Sequence, residues 1–191
     1  MGFSLLFTYK QQEFIYHRRQ IQTSITEMRE ESESFRQKYD EIKSKKSDFY
    51  VMPVNLRWLI ELVPQPVVKY LPSILKHEEK AVTRFEENEL NLPRIPVGWN
   101  IEVRLDMRKI DNKELKTAIA HEIYHVWEVL DSEDIKGHLN LKSSENSLPY
   151  EKRPSEMAAE AFASKVQSEI ASKKAYNGDS EASEEPIEVD Q

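Results

Sequence analysis

The N-terminal quarter of the chain has the hydrophobic pattern of a long helix. Between Lys10 and Lys46 there is no glycine or proline, and apolar residues recur at alternating intervals of four and three positions if Arg18 and Ser32 fill two of them. This heptad spacing predicts one continuous, coiled-coil-like amphipathic helix over residues 1–48. Its narrow apolar seam either packs across the rest of the same chain or pairs with a second copy in a homodimer. The seam consists of Phe14, Ile21, Ile25, Met28, Phe35, Tyr39 and Ile42.

A globular domain is predicted over residues 49–171, and its first half contains one helical and one extended pattern. Apolar positions between residues 71 and 89 follow helical spacing, and Pro93 ends this predicted helix. From Ile101 to Met107, apolar and polar side chains alternate strictly. This alternation predicts a half-buried strand, and an extended peptide substrate can add to the edge of a sheet through main-chain hydrogen bonds.

The second half of this domain contains two predicted helices separated by a loop. Asp111, followed three residues later by Glu114, forms the pattern of a capping box that opens the first helix. Residues 131–150 contain a glycine, two asparagines and a serine cluster, which predict a loop long enough to cover a functional site. Pro154 occupies the first turn of the second predicted helix. The apolar stripe of that helix is Ala159, Phe162, Ala163, Val166 and Ile170.

Composition narrows the class of protein. The chain has 191 residues, of which 39% are hydrophobic, and this is enough for one domain with appendages. Its formal net charge is −7 and no basic block is present, so we expect no direct nucleic-acid ligand. Residues 172–191 are rich in serine, glutamate and lysine without periodicity, which predicts a disordered acidic tail.

Three features that the sequence lacks exclude further classes of protein. The chain has no cysteine, which excludes thiolate nucleophiles and cysteine-based metal sites, so any metal must be held by histidine and carboxylates. With only four glycines, the chain has no phosphate-binding glycine-rich loop. The longest apolar run near the start, residues 5–7, is far shorter than the roughly 18 residues of a membrane span. We therefore expect a cytoplasmic protein that does not associate with membranes.

The candidate chemistry lies in the helix that Asp111 opens. His121, Glu122 and His125 form the H-E-x-x-H pattern, in which two histidines four residues apart project from one helix face and can reach one ion. The adjacent glutamate can then face a water on that ion. On a helical wheel, the histidines flank the apolar stripe, where a half-buried cleft would form.

A catalytic zinc site needs a third protein ligand, and the chain offers three candidates. Asp131 follows at a short spacing, but an unbroken helix would turn it about 100° away from the histidines. His138 follows Gly137 in the predicted loop, which does not fix its position. Glu156 lies on the next predicted helix, whose small alanines allow close approach to the motif helix.

Two motifs carry a resemblance to a known family. The chain resembles the ImmA/IrrE family of intracellular metallopeptidases, within the gluzincin class, at His121-Glu122-x-x-His125 and at Glu156-x-x-Ala159-x-x-Phe162-Ala163. The resemblance covers residues 101–166 and implies that Glu156 is the third zinc ligand. Tyr124 stands where that family usually has glycine. Glu160 stands where it usually has asparagine or aspartate, and Glu160 is compatible with accepting a hydrogen bond from a ligating imidazole.

Together, these patterns predict an α+β fold that is mostly helical and zincin-like, with a small antiparallel sheet beside the motif helix and a long N-terminal helix before it. The predicted function is zinc-dependent hydrolysis of a peptide bond, with Glu122 as general base. Tyr150 either donates a hydrogen bond to the developing oxyanion or anchors the loop. The resemblance implies a protein substrate, for example a transcriptional repressor.

A second hypothesis comes from another class of protein. In it, the N-terminal helix is the functional part of a regulatory or binding protein, and the metal site is silent or structural. Both the heptad seam and the tyrosine at position 124 favour this alternative.

Overall fold

The computed structural model describes residues 2–45, 48–53, 80–87 and 99–181. Within them the protein is mostly helical, with one three-stranded sheet, and so belongs to a helical α+β class. None of the described helices is long and apolar enough to cross a membrane. The elements, in chain order, are α1 (Gly2–Glu31), α2 (Glu33–Ser44), β1 (Asp48–Pro53), β2 (Ala81–Glu87), β3 (Trp99–Leu105), α3 (Leu115–Asp131), α4 (Ile135–Glu145), a 3-10 turn (Tyr150–Lys152) and α5 (Pro154–Glu181).

The sheet has the order β1-β3-β2, with β3 at its centre. The predicted alternating strand is confirmed, since Ile101, Val103 and Leu105 are buried on one face of β3. Two expectations were wrong. The sheet is mixed instead of antiparallel, because β1 pairs parallel to β3 while β2 pairs antiparallel to it. The predicted strand β3 is also not an edge where a peptide could add, since it has a neighbour on each side; in the part of the sheet that the structure describes, the edge beside the motif helix is β2.

The helix predicted over residues 71–89 was also wrong where the structure describes it. Residues 81–87 form strand β2, and residues 71–79 lie outside the described residues. Val82, Thr83 and Phe85 are β-branched or aromatic, which suits a strand, and β2 pairs with β3 along its whole length. Hydrogen bonding to a neighbouring strand therefore outweighs a short pattern that fitted helical spacing.

The N-terminal helix is broken at Ser32, although one continuous helix was predicted. Ser32 has an extended backbone, and its side chain accepts a hydrogen bond from the amide of Phe35, which starts α2. The hydroxyl of Ser32 donates to Glu169 of α5 at 2.6 Å, and that carboxylate also accepts from the hydroxyl and the amide of Ser34. A carboxylate at a helix N-terminus compensates unpaired amides, so α5 holds the break in place.

The apolar seam packs against the rest of the same chain, as one of the two alternatives proposed. Its buried members share one core with β3, α3 and α5. A homodimer through these helices stays a prediction, and it would need a surface other than this seam. The buried seam residues are Ile21, Ile25, Met28, Phe35 and Ile42.

The motif helix α3 lies between the sheet and the remaining helices. Asp111 was predicted to be the N-cap of this helix, but the N-cap is Glu114, and Asp111 instead caps the preceding turn, where it accepts hydrogen bonds from the amides of Lys113 and Glu114. The carboxylate of Glu114, which was expected to complete a capping box, accepts from Lys80 at 2.6 Å. α5 begins at Pro154, and all five residues of its predicted apolar stripe are buried, which confirms this part of the prediction.

Two segments after α3 are more helical than predicted. Most of the predicted loop at residues 131–150 is helix α4, whose N-cap Asp134 accepts from the amide of Gly137 at 2.9 Å. α4 has no buried residue, so it lacks the apolar stripe that identifies a helix in a sequence. α5 continues to Glu181, past the predicted start of a disordered tail at Ser172, and residues 182–191 lie outside the described residues.

We expect Glu169→Gln to lower the free energy of unfolding by about 1–2 kcal/mol at neutral pH, since it weakens charged hydrogen bonds at the break between α1 and α2. Burial would raise the pKa of Glu169, but hydrogen bonds from Ser32 and Ser34 outweigh it and lower that pKa below 4.5. The carboxylate therefore stabilises the fold above about pH 4.5, and this contribution is lost as the pH falls below that value.

Urea unfolding of wild type and Glu169→Gln between pH 3 and pH 7 measures this difference. Glu133→Gln, at an exposed glutamate between α3 and α4, is the control and should match wild type. A difference between wild type and Glu169→Gln that persists unchanged at pH 3 would contradict the assignment.

Candidate metal centre

Three potential ligand atoms meet in the cleft between α3 and α5. His121 and His125, four residues apart on α3, present their Nε2 atoms to the same point, 3.1 Å from each other. The Oε2 atom of Glu156 lies 3.0 Å from Nε2 of His121 and 3.3 Å from Nε2 of His125. Among the described residues, this cluster has the composition and spacing to hold a metal ion.

Glu156 reaches the histidines because of how α5 begins. Its carboxylate lies in the first turn of α5, where the helix dipole favours a negative charge. The preceding residue, Ser155, is buried, and both its amide and its hydroxyl donate to Glu145 at the end of α4. Ala159, one turn further on, is fully buried, and its small side chain allows the two helices to approach. The start of α5 is therefore fixed by hydrogen bonds to α4 and by packing against α3.

The distances fit a tetrahedral metal ion. With metal–ligand bonds of about 2.0–2.1 Å, tetrahedral zinc separates its ligand atoms by about 3.3–3.4 Å. The three separations here, from 3.0 to 3.3 Å, are close to that value. Two imidazoles and a carboxylate are also a common donor set of catalytic zinc, which keeps its fourth position open.

The charges of the cluster are strongly coupled. Burial would raise the pKa of Glu156, but hydrogen bonds from His121, His125 and Tyr150 hold that pKa far below its usual range. Burial would lower the pKa of His125, but the carboxylates of Glu128 and Glu156 raise it. The cleft therefore contains an ionised Glu156 carboxylate beside an imidazole, His125, whose pKa it raises, and this carboxylate is in the form that binds a metal ion.

Glu122 lies beside the cluster and is almost fully buried. Its Oε2 accepts a hydrogen bond from the hydroxyl of Thr83 on β2, at 2.5 Å. Burial raises the pKa of Glu122, and this hydrogen bond together with the nearby histidines only partly offsets the effect. A carboxyl group with a raised pKa can both accept and return a proton near neutral pH.

Tyr150 and Glu160 lie on the wall of the same cleft, which has a volume of about 1080 Å³. The Tyr150 hydroxyl donates to Glu156, and burial together with this carboxylate raises the Tyr150 pKa. Glu160 is exposed one turn after Glu156. The hydrogen bonds of His121 and His125 are made to groups other than Glu160.

The other two candidates for a third ligand do not join the cluster. Asp131 is exposed at the C-terminal end of α3. His138 lies on α4, and its Nε2 atom is 3.8 Å from Glu128. The cluster contains His121, His125 and Glu156, which is the set that the resemblance implied.

The tyrosine that stands in place of a glycine has a packing function. The ring of Tyr124 lies 5.6 Å from that of Trp127 and 5.5 Å from that of Phe162 on α5. The ammonium group of Lys38 from α2 lies over these aromatic rings. Tyr124 thus joins α3 to α5 and α2 on the side away from the sheet.

Sequence reasoning missed four polar residues around the site. Thr83 and Lys142 fall in segments predicted as helix and loop, so no pattern pointed to them. Glu145 reaches Ser155 only because α4 and α5 fold together. Glu128 had a usable signal, since a position three residues after His125 shares its helix face.

The evidence for function comes from the residues of this cleft. No family model matches the chain, and no curated protein or solved structure is significantly similar to it.

Removing the carboxylate of α5 tests the centre directly. We expect wild type purified without added zinc to contain close to one metal ion per chain, and Glu156→Ala to lose most of it, because two histidines alone hold zinc weakly. Elemental analysis of both proteins gives the metal content, and circular dichroism shows that each is folded. Asp131→Ala is the matched control and should keep its metal. Metal loss in Asp131→Ala with retention in Glu156→Ala would contradict the ligand set.

Proposed function

We propose that this protein is a zinc-dependent metallopeptidase with a zincin-like site. The observation that carries the proposal is the convergence of His121, His125 and Glu156 within 3.3 Å of one another, with buried Glu122 beside them. Two histidine ligands and a glutamate on one helix, with a third ligand from a second helix, form an arrangement that zinc peptidases use.

His121, His125 and Glu156 would hold the zinc ion, which would supply a Lewis acid for a water and for the carbonyl of the substrate. Other residues of the chain supply the proton transfer and the hydrogen bonds. Glu122 accepts the proton of the attacking water and passes it to the leaving amine, a task that suits its raised pKa. Thr83 holds this carboxylate in one orientation through its hydroxyl. We assign the hydrogen bond to the oxyanion to Tyr150, whose hydroxyl turns from Glu156 toward the substrate in this mechanism.

The shape of the cleft supports a protein or peptide substrate. Its volume of about 1080 Å³ is more than a single side chain fills, and three residues of one face of β2, Ala81, Thr83 and Phe85, line it. β2 is an edge of the described sheet, so its outer backbone groups can pair with an extended peptide. By the resemblance at the two motifs, the substrate is an intracellular regulatory protein such as a repressor.

The alternative, a regulatory protein that acts through its N-terminal helices and has a silent metal site, receives less support. The seam of these helices is buried within the chain and takes part in its core. A structural zinc site is normally closed by four protein ligands, whereas three potential ligands among the described residues line an open cleft. Both observations favour the peptidase.

The catalytic assignment predicts a separation of metal binding from turnover. We expect Glu122→Gln to keep its zinc and lose about 10²–10⁴-fold in turnover, because the amide cannot accept the proton of water. Cleavage of a random peptide library, followed by mass spectrometry, measures turnover, and elemental analysis measures zinc. Glu133→Gln is the control at an exposed site. Equal turnover in Glu122→Gln and wild type would remove Glu122 from the mechanism.

The hydrogen bond from Thr83 of β2 to Glu122 predicts a smaller loss of turnover. We expect Thr83→Val, which has nearly the same shape, to lower kcat about tenfold while zinc content and KM change little, because Glu122 loses the donor that orients it. The same library, or a peptide selected from it, gives both constants. Thr83→Ser keeps the hydroxyl and should restore most of kcat. A change in KM alone would mean that Thr83 serves only the wall of the cleft.

A further inference from the structure

The outer nitrogen of His125 faces two groups of opposite charge. Its Nδ1 atom, which points away from the cluster, lies 2.8 Å from Nζ of Lys142 and 3.9 Å from Oε2 of Glu128. Lys142 and Glu128 also pair with each other at 2.8 Å. Glu128 follows His125 by one turn of α3, whereas Lys142 comes from α4. The three side chains are at most about one-fifth exposed, so water screens their interactions little.

These two neighbours require different tautomers of the imidazole. An ammonium group only donates, so a hydrogen bond from Lys142 makes Nδ1 the acceptor and places the ring proton on Nε2. That proton then occupies the atom that faces the metal cluster. A carboxylate only accepts, so a hydrogen bond to Glu128 requires the proton on Nδ1 and leaves the lone pair of Nε2 for a metal ion.

We propose that Glu128 and Lys142 are opposing positioning residues that set the metal affinity of the centre through the tautomer of His125. Glu128 prepares the imidazole for the metal, and Lys142 holds it in the form that does not bind. This inference rests on the proposed zinc site and adds two residues that no ligand motif contains.

The weak attachment of α4 to α3 explains how Lys142 can move away from Nδ1 of His125. α4 has no buried residue, and its Lys142 and His138 side chains both contact Glu128 of α3, at 2.8 Å and 3.8 Å. When Lys142 turns wholly to Glu128, Nδ1 is free to donate to the same carboxylate. Glu128 can accept from both groups, since a carboxylate has two oxygen atoms and lies 2.8 Å from Lys142 and 3.9 Å from Nδ1.

Zinc dissociation constants, measured by competition with a chromophoric chelator, test the proposal through changes of opposite sign. We expect Glu128→Ala to weaken zinc binding about 10–100-fold, the usual range for a partner of a metal-bound histidine, and Lys142→Met to strengthen it about tenfold. The double variant should fall between the two. Controls are Glu133→Ala and Lys136→Met, which change exposed residues near or on the same helix and should bind zinc like wild type.

The tautomer itself is read from the nitrogen chemical shifts of the His125 ring in metal-free protein at alkaline pH, where imidazoles are neutral. We expect the proton on Nε2 in wild type and on Nδ1 in Lys142→Met, with thermal unfolding as the check on folding. Unchanged tautomers, or weaker zinc binding in Lys142→Met, overturn the inference and leave the proposed function standing. Absence of zinc binding in wild type and Lys142→Met alike overturns both.

Discussion

The structure depends on the close contact between the first turn of α5 and the middle of α3. There a carboxylate, Glu156, meets two imidazoles, and each of the three side chains is less than one-fifth exposed. Burying a carboxylate is unfavourable unless its charge is compensated. A bound cation would compensate this charge and accept the lone pairs of both imidazoles. Buried alanines on α5 permit the approach, and Glu145 fixes the serine that precedes the carboxylate. The cleft, its charge and its chemistry follow from this contact.

The rest of the fold supports α3 and α5 from the opposite side. α1 and α2 contribute their apolar seam to the core, and Lys116 of α3 pairs with Glu27 of α1 at 2.7 Å. Ser32 bonds to Glu169 of α5, and the indole of Trp127 donates to Glu41 of α2. The N-terminal region therefore belongs to the same folded unit as the centre. The sheet completes the cleft through β2, which brings Thr83 to Glu122.

The elements predicted correctly are those whose side chains show one strong, local pattern. β3 alternates because one face is buried, and α3 and α5 carry apolar stripes at helical spacing. The errors fall where no such pattern exists. α4 buries no residue, and β2 owes its form to pairing with a strand distant in sequence. The break at Ser32 has an N-cap residue as its local signal, but Glu169, which stabilises it, lies 137 positions away.

The sequence by itself determined which residues share a helix face, so His121, Glu122 and His125 could be assigned to one site from their spacing alone. The helical spacing of α5 likewise placed Glu156 beside small residues that allow close packing. Only the tertiary structure decided that Glu156 and not Asp131 or His138 joins the histidines. It alone brought Thr83, Glu128 and Lys142 to the site in these positions. The physical reason is that helix periodicity is a local property of the backbone, whereas contacts between elements depend on how their surfaces pack.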